Sequence, residues 1–382
     1  MPPAFCAHAH GVLVKLKPLC YYFTGEGGEA VEQANSAIQS KRERMFYMDV
    51  LRILACIFVV GNHTLGSVFA DMEQGGAQTA LITWFFLCKT GVPLFLMLSG
   101  ALLMRGTPTY RSIFKKTGQL ILVLTLASLY VWCFQMNRLG SFELLPFLTA
   151  LIRDPILLNY WYLYTAVGLY LMTPLLYRMV QNFEGVDFAW YMLLWMLFGG
   201  FLPMLELFAY PTVSSHLYVP LFSSYLGYFI TGYCLAWRQR GRYDGAMAAI
   251  FALLMGLAGY YLVTSTLSEQ GEGMRIRLLL DNARYLPFML LSAGLFFIVR
   301  SIFDGRKIPQ FLRWGFAKIA DATFGVYILH SILIPYFADK RFEVFSRLPE
   351  GHAVFCYTST VFFAALIPAL IAKEIPIIKK IL

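Results

Sequence analysis

From Phe46 onward, apolar runs of about 20 residues alternate with short polar segments, the spacing expected of a chain that crosses a bilayer repeatedly. The runs fall at 47–69, 81–104, 117–136, 160–180, 188–208, 219–237, 244–265, 285–300, 319–338 and 353–372. Wound as α-helix, all but the eighth are long enough to span the hydrocarbon core. A span finds no water for its backbone amides, so it must bond internally as helix or close a barrel. Barrel strands alternate polar and apolar positions over about ten residues, and these runs do not alternate. The pattern predicts an all-α polytopic transmembrane bundle of about ten spans. The eighth run is the shortest and opens at Tyr285-Leu286-Pro287.

Residues 1–44 break the pattern. Gly11 to Phe23 is short and interrupted, Gly25 to Gln39 is polar without an apolar face, and no signal-peptide cleavage site follows. We expect a disordered tail there, with Met45 as an alternative start and 45–382 as the membrane domain. His8, His10, Cys6 and Cys20 are thereby read as tail residues rather than metal ligands.

Composition agrees: 58% of residues are hydrophobic and 14% charged, against about 45–50% and about 25% in soluble domains. The net charge of +9 raises nucleic acid as a partner, but the placement of the cations argues for topology instead. With the N-terminus inside, cytoplasmic segments carry nineteen Lys and Arg and outer segments eight. That asymmetry predicts both termini in the cytoplasm, which requires an even number of spans. Seven cysteines include no C-x-x-C pair, so neither a metal site nor a disulfide framework is expected. No internal repeat is evident, which disfavours transporters built from matching halves.

Charge within lipid is costly and points to function. The first span holds Asp49, Arg52 and His63. Arg52 and His63 are eleven residues apart, which turns a helix by about three turns plus 20° and separates them by about 16 Å on one face. Asp49 lies one turn before Arg52, within reach of an ion pair. Arg52 also reads as a snorkelling anchor, and His63 as a packed histidine, but their shared face favours a joint role. In the second span, Lys89 lies at a depth close to that of His63. Pro93 cannot donate to the Lys89 carbonyl, so a kink is expected there. A cation approaching His63 would favour the neutral imidazole, the form a general base needs. The ninth span holds Asp321 near its inner end and His330 near its middle, the latter open to a helix–helix hydrogen bond or a chemical role. No P-loop, G-x-S-x-G or H-E-x-x-H motif appears.

Several segments together resemble the integral membrane acyltransferase family 3, in particular its surface-polysaccharide O-acetyltransferase branch. The resemblance covers about residues 45–372. Asp49, Arg52 and Ala55 resemble the family's D-x-x-R-x-x-A opening, and Arg52 with His63 its R-x(10)-H spacing. Gly91-Val92-Pro93-Leu94-Phe95-Leu96-Met97-Leu98-Ser99-Gly100 is similar to its V-P-L-F-F-x-x-S-G segment. Trp161-Tyr162-Leu163-Tyr164, continuing to Pro174, is similar to its W-F-L-Y run, and Phe324 to His330 to its closing F-G-I-Y-x-x-H. Two positions depart: Lys116-Thr117-Gly118-Gln119 stands where R-x-x-R is common, and Asn159 where a histidine often precedes the tryptophan.

The resemblance implies acetyl-CoA, or another acyl-CoA, as cytoplasmic donor and a glycan or lipid-linked saccharide hydroxyl as acceptor, in the multi-pass cell membrane of a bacterium. His63 would take the acceptor proton or briefly carry the acyl group, with Arg52 and Asp49 as its catalytic companions. Arg111, Lys115 and Lys116 suit the CoA phosphates, because cations bind phosphate by charge-assisted bonds. Lys89, Ser99, Trp161, Glu206 and His330 are expected around the substrate cavity, Glu206 being open to a solvated-end reading as well. Two rival readings are a secondary transporter using the same intramembrane charges as a proton relay, and a membrane sensor without chemistry.

Overall fold

The structure is a computed structural model that describes residues 44–65, 76–136, 140, 142–208, 222, 224–237, 244–267, 283–338, 348–376 and 378. The chain divides into two units, Met1–Met45 and Phe46–Leu382. Apart from Arg44 and Met45 the first lies outside the described residues, and with it the tail expected over residues 1–44.

Among the described residues the second unit is helical throughout, without strands. Its α-helices are α1 (Phe46–Leu65), α2 (Gly76–Lys89), α3 (Gly91–Leu103), α4 (Tyr110–Tyr130), α5 (Leu144–Arg153), α6 (Trp161–Val180), α7 (Gly185–Leu194), α8 (Leu202–Phe208), α9 (Ser224–Trp237), α10 (Asp244–Leu267), α11 (Leu286–Phe303), α12 (Gln310–Ala338) and α13 (Glu350–Glu374). Among the described residues, seven helical segments are long and apolar enough to cross a membrane: Phe46–Thr64, Thr79–Leu103, Tyr110–Gln135, Gly185–Leu205, Leu286–Phe303, Gln310–Phe337 and His352–Glu374. The protein is a multi-pass membrane protein. Three expected spans fall short of that standard for separate reasons: α6 carries Tyr162, Tyr164, Tyr170, Tyr177 and Arg178, α9 has 14 residues, and the apolar stretch within α10 is Gly245–Tyr260.

Helix ends differ from the apolar runs where polar residues extend a helix. α4 starts at Tyr110 because Thr109, in extended conformation, accepts a hydrogen bond from the Ser112 amide at 3.3 Å and caps it. Arg111, Lys115 and Lys116 are therefore helical. α12 begins at Gln310, so Lys318 and Asp321 lie well inside it. α4 runs into a π-turn, Val131–Gln135, and the following segment contains α5, a short helix that the span pattern gave no sign of. Phe147 of α5 packs on Trp132 and Cys133, while Leu144, Leu145 and Ile152 are exposed.

The second apolar run breaks near the expected place. α2 ends at Lys89, the Thr90 hydroxyl donates to the Leu87 carbonyl at 2.6 Å, and α3 starts at Gly91 with Pro93 in its first turn. First-turn amides have no intrahelical acceptor, so proline costs nothing there.

α1 is the central helix, packing on α2, α3, α11, α12 and α13. Leu51, Ala55 and Val60 are fully buried, and Thr64 Oγ1 lies 2.7 Å from Thr358 Oγ1 of α13. α3 and α9 cross closely: a Cβ added at Gly100 would strike the Phe229 carbonyl, and one at Gly232 the Met97 backbone. Small residues let two backbones meet, the usual device for packing helices in lipid. Arg300 is buried in α11. Its guanidinium donates to the Leu235 carbonyl, and its Nε lies 3.5 Å from Asp304 Oδ2.

Candidate active site

Two features about half the length of α1 apart make up the site. The first is a histidine pair. Packing of α1 against α12 brings the His63 and His330 rings to a centroid separation of 5.4 Å, inclined at 34°. His330 is fully buried and bonded at both nitrogens: Nδ1 lies 3.2 Å from the Val326 carbonyl and Nε2 3.1 Å from Ser331 Oγ. Asn159 Nδ2 in turn donates to Ser331 Oγ at 3.2 Å. His63 is partly buried. Lys89 stands within electrostatic range of it, its ammonium over the Phe85 ring at 4.7 Å.

Side-chain donors from neighbouring elements bond backbone carbonyls of α12 and hold this pair in place. Tyr160 donates to the Ile328 carbonyl at 3.2 Å, Gln135 to that of Ile332 at 2.9 Å and Tyr357 to that of Ile334 at 3.4 Å. The Tyr327 hydroxyl returns the contact, donating to the Asn159 carbonyl at 2.6 Å. Each bond replaces one to water that the membrane interior does not offer, so together they fix the rotation of α12 and with it His330.

The second feature is a cavity of about 400 Å³ bounded by α1, α3, α4, α6, α12 and α13. Arg52, Lys116 and Lys373 line it from three different helices, with Asp321, Gln119 and Ser99. Aromatic rings form much of the remaining wall, including Tyr162, Tyr170 and Tyr327. Tyr162, Tyr170 and Ser99 all face the cavity. Tyr327 joins the two features: it lines the cavity, its ring centroid is 5.5 Å from that of Tyr162, and it is 5.7 Å from that of His330.

Of the residues singled out from sequence, Arg52, Ser99 and Lys116 meet at the cavity, while His63, His330 and Lys89 gather at the other feature. Asp49 is buried on α1 one turn before Arg52. Arg111 and Lys115 are exposed on α4 and do not line the cavity. Trp161 packs on Tyr225, centroids 5.2 Å apart. Glu206 belongs to α8, and its side chain lies outside the described residues. Sequence reasoning missed the cavity roles of Lys373 and Gln119 and the Ser331 hydroxyl. Asn159, noted only as a departure, turns out to bond next to His330.

A family model described as an acyltransferase domain matches residues 45–372, nearly the whole of the second unit. No curated protein and no solved structure matches the chain.

Proposed function

Because the chain belongs to acyltransferase family 3, we propose that this membrane acyltransferase moves an acetyl group from cytoplasmic acetyl-CoA to a hydroxyl of a cell-envelope glycan. The observation that carries the reading is the continuity from a cation-lined cavity, through Tyr327, to a pair of facing histidines. Arg52, Lys116 and Lys373 offer the phosphates charge-assisted bonds, and the aromatic wall suits the less polar arm of the donor. The thioester then lies toward His63. The acceptor hydroxyl attacks the thioester carbon as His63 takes its proton. The carbon–sulfur bond breaks, and the imidazolium returns the proton to the departing thiolate. The products are the acetyl ester and coenzyme A.

The orientation belongs to the same proposal: ten spans, both termini in the cytoplasm and the cavity opening there, supported by the nineteen-to-eight split of cations. The cell membrane of a bacterium is the setting, with lipid around the bundle.

Purified protein in detergent should consume acetyl-CoA when given envelope glycan, with no ion gradient present. A transporter would leave the thioester intact. Mass spectrometry of surface glycans from cells with and without the gene should show acetyl esters lost with the gene; unchanged glycans would overturn the choice of acceptor.

A further inference from the structure

The mechanism uses one histidine, yet two face each other, and the second is the more tightly bonded. The Val326 carbonyl can only accept, so His330 Nδ1 must carry a proton to bond it at 3.2 Å. The Asn159 amide can only donate through Nδ2, so it occupies a lone pair of Ser331 Oγ at 3.2 Å. That leaves the Ser331 proton directed at His330 Nε2, 3.1 Å away, where it needs a bare lone pair. The chain Asn159 → Ser331 → His330 → Val326 therefore runs in one direction, and it is satisfied when the ring is neutral with its proton on Nδ1.

We propose that Asn159 and Ser331 are positioning residues whose hydrogen-bond direction holds His330 as a neutral, fully engaged ring against His63. The inference rests on the reading of His63 as the base. Neither nitrogen of His330 is left to relay protons. Its role is to be an uncharged neighbour at the place where His63 gains positive charge during attack. Among the described residues, the titratable groups around the pair are Tyr327 on the same helix, Tyr160 and Tyr162 at the start of α6, Tyr357 on α13 and Lys89 on α2, and none of these is a carboxylate. A second cation beside Lys89 would oppose protonation of His63, whereas a neutral His330 does not. Sequence gave no hint of this, because Asn159 and Ser331 lie 172 residues apart.

Asn159→Asp tests the direction with almost no change of shape. A carboxylate accepts where the amide donated, so it takes the Ser331 proton and reverses the chain. Ser331 Oγ then calls for a donor on His330 Nε2, and both ring nitrogens carry protons. With 5.4 Å between ring centroids, kcat at neutral pH should fall about tenfold to hundredfold. The donor KM should stay put, and the loss should shrink as pH rises and the extra proton leaves. Ser331→Ala should cost less and show no such recovery, and Ser331→Thr, which keeps the hydroxyl, should restore turnover. Melting temperatures in detergent identify any variant that fails to fold.

A readout independent of turnover is the ¹⁵N spectrum of histidine-labelled protein in lipid nanodiscs. The parent protein should show His330 protonated at Nδ1 and bare at Nε2, and Asn159→Asp should show both protonated. A parent His330 protonated at Nε2, or an Asn159→Asp spectrum identical to the parent's, overturns the proposal. A pH-independent loss in Asn159→Asp does so too. If the parent consumes no acetyl-CoA, the reading of function fails, and the spectra still decide the direction of the chain.

Discussion

Around the cavity, six helices contribute side chains, and the cations are long, flexible and drawn from α1, α4 and α13. Around the histidine pair, Lys89 and Gln135 apart, the side chains are short or ring-shaped, and α12 is bonded from the π-turn, the α6 start and α13. The first arrangement suits holding a ligand whose charge is the same throughout reaction. Long cations adapt to a phosphate, and their contribution is made equally in the ground state and the transition state. The second suits chemistry, where a ring must be held to within a fraction of an ångström while its charge changes. Damage at the cavity should therefore appear in the donor KM, and damage at the pair in kcat.

His63→Ala is the severest test of that division. An alcohol is a poor nucleophile at neutral pH, and a positioned base contributes about 10² to 10⁴ in rate. Transfer should drop by that factor while calorimetric binding of coenzyme A to the variant matches the parent. Loss of binding alongside turnover would mean that the two ends do not work separately.

Lys116→Gln should show the opposite pattern. Removing one charge-assisted bond to phosphate is worth a rise in donor KM of about tenfold to hundredfold, with kcat nearly unchanged. Neutralising Arg111 and Lys115 together, both exposed on the same helix, should raise it only about two- to threefold, through weaker attraction of the anionic donor, and the difference should vanish at high salt. Equal effects from the two sets would move the phosphate site from the cavity to the surface of α4.

Much of this was legible from sequence, and the failures have a common cause. The spans could be read because hydrocarbon demands about 20 apolar residues whatever the fold. Arg52, Lys89, His63 and His330 stood out because charge and imidazole are costly there. Pairing was not legible. α1 and α12 touch across gaps as long as 270 residues, as between Phe46 and Phe316, and a helical pattern shows which face is buried without showing against what. Lys373 looked like any other cation at the end of a span. The starts of α4 and α12 were misplaced because the runs were delimited by apolarity, whereas Thr109 caps a helix that extends into polar sequence.

The smallest expected effect lies at the rim of the cavity. Lys318 Nζ and Glu374 Oε1 are 2.6 Å apart, joining α12 to α13 one residue beyond Lys373. Their side chains are 47% and 65% exposed, so water and salt screen the pair, and such pairs contribute about 0–1 kcal/mol. Stability is supplied instead by the apolar seam beside it, where Ala322, Val326, Val361 and Ala365 are fully buried. Lys318→Ala should therefore leave the melting temperature within a degree or two. If the pair also steadies the end of α13, the donor KM should rise by no more than about twofold, since Lys373 has only to find a phosphate and one exposed ion pair restrains it weakly. A rise comparable to that of Lys116→Gln would show that the cavity end depends on fixed geometry as much as the histidine end does, and the distinction between adaptable binding and rigid chemistry would no longer hold for this site.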